Sequence, residues 1–348
     1  MIRTRQDIRK ATLSDIQAYC SEQSWPSYRA SQIYGWVWQK GSTAFDDMSN
    51  LPKDVRAKLA EDWDFYAPEV DLAQKSSDGT IKYRIALHDG FKVEAVLIPV
   101  EKDDRFTVCV SSQVGCSLSC AFCATGQMKR SRNLDAAEIF DQVKLVNEDC
   151  QRIYGHPLTN IVYMGMGEPL LNYKEVLLSI DHITSPDGMG MSPRRITVST
   201  AGIAKAIRRL ADDRVRFNLA LSLHAADDTK RNQIMPINNQ NNLETIIDAL
   251  KYFDNLCRGR ISYEYIAFQG FNDQPADAQN LIKLCKHFPV GVNIIEYNPI
   301  EGLSFEKSDA DTIDAFAKTL TAAGVMTTVR RSRGKDIDAA CGQLANKG

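Results

Sequence analysis

The sequence predicts an α/β fold with a parallel sheet, preceded by a small helical domain and a β-hairpin. Aromatic residues concentrate near the amino-terminal end, an alternating apolar pattern follows, and strand-like and helix-like segments then succeed one another. Six βα units in a row imply a parallel sheet covered by helices, either doubly wound or curled into a partial barrel. A chain of 348 residues, 44% hydrophobic and 25% charged, can hold one large domain and a smaller one.

Residues 1–75 are predicted to form a helical accessory domain with its own aromatic core. Thr12 or Ser14 can cap a first helix, and Pro52 falls in the first turn of another. Nine Lys and Arg against six Asp and Glu over residues 1–60 allow RNA contact, although a solvated helix surface explains this balance equally well. All four tryptophans lie in this segment: Trp25, Trp36, Trp38 and Trp63.

Residues 76–101 are predicted to form a β-hairpin extension. Apolar and polar residues alternate over residues 81–87, an Asp-Gly pair at residues 89–90 supplies a turn, and a second strand follows over residues 91–98. Glu94 lies on this second strand, where the pattern alone indicates a carboxylate that faces solvent.

Residues 102–336 carry the alternation of strands and helices and form the predicted core domain, with residues 337–348 as a carboxyl-terminal tail. A capping box, Asp135-x-x-Glu138, opens the first helix. The predicted strands span residues 106–111, 160–164, 195–199, 217–223, 261–268, 292–297 and 325–330. The predicted helices lie near residues 135–150, 173–184, 202–211, 243–257, 275–287 and 308–322.

Composition and charge exclude several classes of protein. Lys+Arg 42 against Asp+Glu 44 gives a net charge of −2, so a polyanionic partner must be met by a local patch. The charged amino-terminal sequence and the lack of any apolar window near 18 residues argue against a signal peptide and a transmembrane helix. Nine cysteines in a chain of this size predict a reducing cytoplasm, where clustered thiols are considered first as metal ligands or catalysts.

Three cysteines, Cys116, Cys120 and Cys123, follow the first predicted strand of the core domain. Three thiolates within eight residues can wrap a cubic iron–sulfur cluster, and three ligands for four irons leave one iron open to another molecule. A structural zinc site would normally take a fourth Cys or His from a second pair, and the sequence has no such pair. The spacing therefore favours the cluster, with zinc as the alternative.

Polar motifs follow several other predicted strands. Ligands of parallel α/β folds bind at the carboxyl ends of the strands, where the βα loops meet. Each motif alone is explained by a cap or a turn, but together they predict a polar ligand close to the cysteine loop. The residues concerned are Gly167, Glu168, Ser199, Ser222, Leu223, His224 and Asn298.

The Cys-x3-Cys-x2-Cys loop, followed by a Gly-Glu strand end, resembles the radical S-adenosylmethionine (SAM) superfamily. From about residue 28 onward, longer strings resemble the RlmN family of adenosine C2 RNA methyltransferases: CVSSQVGCSLSCAFCATG, MGMGEPLLN, SPRRITVSTAG, LALSLHA, MPIN and GKDIDAACGQL. The related Cfr enzymes, which methylate C8, share most of these strings. The string MGMGEPLLN favours C2, and Cfr-like C8 methylation of the same adenosine is the alternative.

The resemblance implies a partial (βα)6 TIM-like barrel of the radical SAM type. It implies a [4Fe-4S] cluster on Cys116, Cys120 and Cys123, with S-adenosyl-L-methionine bound by the polar residues at the strand ends. Cys341 would be methylated by one SAM and would carry the methyl group to C2 after a second SAM generates a 5′-deoxyadenosyl radical. Cys109 would resolve the covalent RNA adduct through a transient disulfide with Cys341, and Glu94 would accept the C2 proton.

The resemblance also implies the partners. The substrates would be 23S rRNA at adenosine 2503 and tRNA at adenosine 37, and an electron donor such as flavodoxin would reduce the cluster. We expect a monomer with no membrane contact. Three basic runs, residues 129–132, 194–195 and 330–335, are predicted to meet RNA at the catalytic rim or its tail. A zinc-containing, non-catalytic RNA-binding protein is the alternative from a different class.

Overall fold

The computed structural model describes residues 5–346. The strands are β1 Gln6–Asp7, β2 Trp63–Asp64, β3 Glu69–Lys75, β4 Ile81–Ala86, β5 Lys92–Val100, β6 Arg105–Cys109, β7 Gln113–Val114, β8 Arg132–Asn133, β9 Asn160–Tyr163, β10 Ile196–Thr200, β11 Asn218–Ser222, β12 Ile261–Ala267, β13 Val290–Glu296 and β14 Met326–Arg330. The α-helices are α1 Leu13–Glu22, α2 Tyr28–Tyr34, α3 Lys53–Asp62, α4 Ala136–Tyr154, α5 Tyr173–Thr184, α6 Ala204–Asp212, α7 Asp228–Ile234, α8 Leu243–Leu256, α9 Pro275–Leu284 and α10 Ala310–Ala322.

Ten strands form one sheet, in the order β14-β13-β12-β11-β10-β9-β6-β5-β4-β3. Strands β6 and β9 to β14 pair in parallel, and α4, α5, α6, α8, α9 and α10 connect them in sequence. The strand order never reverses, as it would in a doubly wound sheet. The edge strands β3 and β14 do not pair with each other in the described chain, so the structure is the predicted partial barrel.

The predicted hairpin is present and belongs to the main sheet. Strands β4 and β5 pair antiparallel, and β5 also pairs antiparallel with β6, the first strand of the barrel. The predicted helical segment was too long, because residues 69–75 form the edge strand β3, which pairs with β4. Its sequence gives a weak strand pattern, since only alternate side chains such as Leu72 and Gln74 are even partly buried.

The amino-terminal helices pack on the outside of the barrel. A reciprocal capping box between Thr12 and Asp15 opens α1. Trp38 is 2% exposed and stacks on His182 of α5, with ring centroids 3.5 Å apart. The buried Arg9 forms an ion pair with Asp141 of α4. These contacts fix the helical segment against the first two barrel helices.

The segment after β14 crosses the open side of the barrel. Gly334 N donates to Asp78 Oδ2 at 2.9 Å, and Ser76 Oγ donates to Asp336 Oδ1 at 2.6 Å. Asp78 and Ser76 lie in the turn between β3 and β4, at the opposite edge of the sheet from β14. The tail therefore bridges the two edges that the strands leave unpaired. Among the described residues, no helix has the length and apolar character needed to span a bilayer.

Candidate active site

The loop after β6 carries the three clustered cysteines. Cys116, Cys120 and Cys123 are all partly exposed. Ser119 has a left-handed backbone with φ of 52°, and a Cβ at Gly126 would lie 2.8 Å from Cys120 O. This close approach requires glycine at position 126 and holds the loop in a compact turn around the thiols.

The protein environment disfavours the charged form of these thiols. Burial raises the pKa of Cys116 to about 11, and burial together with the charges of its two neighbours raises the pKa of Cys120 above its usual range. Thiolates next to one another need a compensating cation, which a metal centre supplies. Among residues 5–346, no three Cys, His, Asp or Glu side chains lie close enough to hold a single ion. As a donor set, three soft thiolates on one loop suit a cubic cluster that takes one thiolate per iron.

Glu168 lies at the end of β9 and is almost completely buried. Its carboxylate accepts hydrogen bonds from Leu170 N at 3.0 Å and from Ala201 N at 2.7 Å, which joins the ends of β9 and β10. Burial raises the pKa of Glu168 to about 7. The preceding Gly167 has φ of +98°, and a Cβ there would meet Gln113 at 2.5 Å, so only glycine fits this turn.

The predicted residues of β10 and β11 also meet at this end of the sheet. Ser199 Oγ and Ser222 Oγ are 3.2 Å apart. His224 has φ of 54° and its Nδ1 accepts from Ile266 N at 3.1 Å. Burial lowers the pKa of His224 to about 3, so the ring is neutral and its remaining proton is on Nε2. Leu223, between these residues, is fully buried.

Arg231 is a site residue that the sequence prediction missed. It is fully buried on α7, a helix that was not predicted. Its guanidinium donates to Leu223 O at 3.1 Å, Ala201 O at 2.7 Å, Ser222 O at 3.1 Å and Asn238 Oδ1 at 2.5 Å. The polar segment around it resembles a solvated loop, and only the MPIN string that follows it indicated a functional neighbourhood.

Replacing Arg231 by methionine is expected to lower the free energy of unfolding by about 3–5 kcal/mol, because several buried carbonyls lose a charged donor at once. Denaturant unfolding under anaerobic conditions measures this change. The matched control is Arg208→Met on the exposed face of α6, which should change stability by less than about 0.5 kcal/mol. Equal midpoints for the two variants would contradict this role of Arg231.

The tail brings Cys341 to the cysteine loop. Ala124 N donates to Gly342 O at 2.7 Å, and Thr125 Oγ1 donates to Leu344 O at 2.6 Å. Asn298, after β13, donates through Nδ2 to Cys341 O at 3.4 Å. Cys341 is an exposed residue as a whole, whereas burial of its thiol raises the pKa of that thiol. The tail therefore contacts both the cluster loop and a predicted SAM-binding residue.

Cys109 is buried at the end of β6 and belongs to the same region. The pKa of Cys109 is raised to about 12, with burial as the main cause and the charge of Cys341 as a smaller one. Strand β6 leads directly into the loop of the three clustered cysteines, so Cys109 lies at the same end of the barrel as that loop. The structure contains no disulfide among its described cysteines.

Glu94 does not face solvent, so the interpretation from its strand pattern alone is wrong. The side chain is 0% exposed, because the carboxyl-terminal tail packs against this face of β5. Its Oε2 accepts from Ala345 N at 2.9 Å and from Asn346 N at 3.1 Å, and Lys82 Nζ lies 3.3 Å from Oε1. Glu94 thus anchors the tail that carries Cys341.

Several of the cations that were predicted to bind RNA form ion pairs with acidic side chains. Arg132 forms ion pairs with Asp89 and Glu138, and Arg331 and Lys335 both pair with Glu296.

The rim position predicted for residues 194–195 is wrong. Arg194 and Arg195 directly precede β10 and therefore lie at its amino end, opposite the cysteine loop. Parallel strands all start at the same end of the barrel, so these arginines belong to its base.

The fold and the cysteine loop define a radical SAM enzyme, and residues 110–282 match the family model described as the radical SAM superfamily. Residues 6–64 match the "Ribosomal RNA large subunit methyltransferase N-terminal domain". A relative from Flavobacterium psychrophilum, described as "Probable dual-specificity RNA methyltransferase RlmN", is 48% identical over 99% of this chain and 98% of its own length. The chain belongs to the RlmN family of dual-specificity RNA methyltransferases.

Two further proteins agree with this assignment. A relative from Cytophaga hutchinsonii with the same description is 49% identical over 98% of this chain and 93% of its own. The crystal structure of a radical SAM methyltransferase from Sphaerobacter thermophilus is 38% identical and has a TM-score of 0.92, covering 98% of this chain and 100% of that one. The predicted family and fold are therefore confirmed.

Proposed function

We propose that this enzyme methylates C2 of adenine in RNA, at adenosine 2503 of 23S rRNA and adenosine 37 of tRNA, with Cys341 as the methyl carrier. The observation that carries the proposal is the contact between the tail and the cysteine loop. Gly342 O accepts a hydrogen bond from Ala124 N at 2.7 Å, so the residue after Cys341 contacts the residue after Cys123. A methyl carrier in this position lies beside the loop that would hold the cluster.

The substrate carbon explains why a radical route is needed. Adenine C2 lies between two ring nitrogens and is electron-poor, so it does not attack the methyl group of SAM as a nucleophile. Bound SAM and a [4Fe-4S] cluster would supply a 5′-deoxyadenosyl radical by reductive cleavage. Cys116, Cys120 and Cys123 would hold the cluster. Gly167, Glu168, Ser199, Ser222, Leu223, His224 and Asn298 would bind SAM.

The remaining residues of the site act on the transferred methyl group and on the proton at adenine C2. The Cys341 thiol takes a methyl group by polar transfer, and that carbon later forms the bond to C2. Glu94 accepts the C2 proton. Its Oε1 is ion-paired with Lys82 but accepts no hydrogen bond from the described residues, which leaves a buried acceptor position. The Cys109 thiolate then attacks the Cys341 sulfur, which forms the disulfide and breaks the bond from that sulfur to the transferred carbon. The electron pair of the broken bond stays with the RNA product, which takes up a proton so that the carbon becomes a methyl group.

The other parts of the chain take supporting roles in this proposal. The amino-terminal helical domain is an accessory RNA-binding domain, the hairpin extends the sheet, and the tail delivers Cys341. A reduced donor such as flavodoxin supplies the electron. The enzyme works as a monomer in the cytoplasm and has no membrane contact.

Mass spectrometry of the modified nucleoside tests the regiochemistry. The anaerobic enzyme, incubated with SAM, a reductant and unmodified rRNA or tRNA, should produce 2-methyladenosine. Production of 8-methyladenosine would assign the enzyme to the Cfr type. Omission of the reductant is the control, because polar methylation of Cys341 continues without it but transfer to RNA does not.

Metal analysis tests the site itself. Anaerobically purified protein should hold about four irons and a similar amount of sulfide per chain. The Cys123→Ala variant should lose both, whereas Cys285→Ala, at the end of α9, should keep them. Zinc without iron or sulfide would support the non-catalytic alternative.

A further inference from the structure

Six exposed arginines lie together at the amino ends of three neighbouring barrel strands. We call this set the basal arginine patch: Arg194, Arg195, Arg214, Arg216, Arg258 and Arg260. Strands β10, β11 and β12 are adjacent and parallel, so the short segments that precede them meet at the base. Asn218 fixes this arrangement, since its side chain donates to Arg194 O at 2.9 Å and accepts from Arg260 N at 3.1 Å.

The guanidinium groups of the patch have no acidic partner within residues 5–346. None of them forms an ion pair or donates a side-chain hydrogen bond in that part of the chain. The neighbouring Asp212 and Asp213 form no ion pair with these arginines among the described residues, and they accept hydrogen bonds from Tyr252 and Tyr173, each at 2.7 Å. The cations at the other end of the barrel are mostly paired with acids, so the two ends differ in available positive charge.

Four of these arginines surround a pocket. Its volume is about 330 Å³, and Arg194, Arg214, Arg216 and Arg258 contribute to its wall. The planar guanidinium presents two parallel donors that match the oxygens of a phosphate group. A pocket lined by several guanidinium groups and by no acidic residue suits a phosphodiester group.

We propose that the basal arginine patch binds the phosphate backbone of the RNA substrate at a position remote from the target adenosine. The proposal rests on the RNA methyltransferase activity of the family but not on the C2 chemistry. Strand β12 has seven residues and spans about 23 Å at roughly 3.3 Å per residue. A folded RNA is larger than this, so one molecule can contact both ends of the barrel.

An acidic electron-donor protein fits the patch less well. Such a donor must approach the cluster, and the cysteine loop follows β6 at the carboxyl ends of the strands. The patch lies at the amino ends, with the full length of the barrel between the two. Phosphate contacts are also independent of sequence, which suits an enzyme whose relatives are described as dual-specificity RNA methyltransferases.

Charge reversal at the patch tests the proposal. The Arg216→Glu/Arg258→Glu double variant is compared with Lys283→Glu/Lys318→Glu, which makes the same change in net charge on the exposed outer faces of α9 and α10. Fluorescence anisotropy measures the binding of holoenzyme to full-length tRNA and to a minimal stem-loop that carries the target adenosine, over a range of salt concentrations.

We expect the patch variant to bind full-length tRNA about 10–100-fold more weakly, with the slope of log K against log salt reduced by about two. Its affinity for the stem-loop and its single-turnover methylation of the stem-loop should match the wild type, which also shows that the barrel is intact. The control variant should match the wild type on both RNAs.

Three results would overturn the proposal. The first is unchanged binding of full-length tRNA, and the second is equal weakening on the stem-loop. The third is slower reduction by flavodoxin with normal RNA affinity, which would assign the patch to an acidic protein. These binding results hold whichever carbon is methylated, so failure of the C2 proposal is distinguishable from failure of the patch.

Discussion

Replacing Cys341 by alanine is expected to lower RNA methylation by about 10⁴-fold or more, which is the scale seen when a covalent catalyst is removed. The thiol is the only described group that the tail presents to the cysteine loop with the chemistry to carry a methyl group. SAM cleavage should continue, because it depends on the cluster loop and the strand ends. Mass spectrometry of methylated adenosine and 5′-deoxyadenosine from the same reaction measures both quantities.

Cys285→Ala is the control for this variant, since Cys285 is a partly exposed cysteine away from the tail. It should retain both methylation and SAM cleavage. Methylated adenosine at the wild-type rate from Cys341→Ala would show that the carrier mechanism is wrong. Loss of SAM cleavage as well would show that the alanine disturbs the site and not only the methyl carrier.

Replacing Cys109 by alanine is expected to trap the enzyme on its RNA. Without the second thiol, the bond between Cys341 and the RNA is not resolved, so turnover stops after about one cycle per enzyme molecule. Denaturing gels should then show a covalent protein–RNA band that the wild type lacks. Cys150→Ala, at a buried cysteine of α4, controls for lost packing and should turn over normally. Continued multiple turnover by Cys109→Ala would contradict its role.

The release step should also depend on pH. Burial, the main cause of the raised pKa of Cys109, persists in the covalent adduct, where Cys341 carries no charge because its sulfur is bonded to the RNA, so the Cys109 thiol is protonated at neutral pH. Attack requires the thiolate, whose fraction increases with pH until the pKa is reached. The rate of adduct resolution in the wild type should therefore rise as the pH increases from 7 to 9, and quenched-flow measurement of the covalent band checks this.

Much of the barrel could be predicted because local patterns determine it. Each of the seven predicted core strands is present within a few residues of its predicted bounds, and the capping box of Asp135 and Glu138 is formed. The choice between a doubly wound sheet and a barrel was not predictable from periodicity, since it depends on strand order. Strand β3 escaped prediction because it is an edge strand with little burial. Helix α7 escaped prediction because it is only seven residues long and one of its two buried residues is an arginine.

The site was predictable where residues are close in the sequence and not where distant segments meet. The cysteine loop and the strand-end motifs are local. The burial of Glu94 depends on the tail, which is about 250 residues away in the sequence and donates to the Glu94 carboxylate from Ala345 N. A strand pattern does not contain that information. The placement of Arg194 was a different kind of error, because its position before a strand already indicated the base of the barrel.

The tail bridges the two edges of the sheet that the strands leave unpaired, and this affects the order in which the enzyme is assembled. Its contacts join residues far apart in the chain: Ser76 to Asp336, Glu94 to Ala345 and Thr125 to Leu344. During synthesis these contacts form only after the whole barrel has emerged, so the loop of Cys116, Cys120 and Cys123 remains uncovered until then. A cluster delivered before the tail docks therefore meets a more open loop than one delivered to the finished fold, in which the three cysteines are only partly exposed.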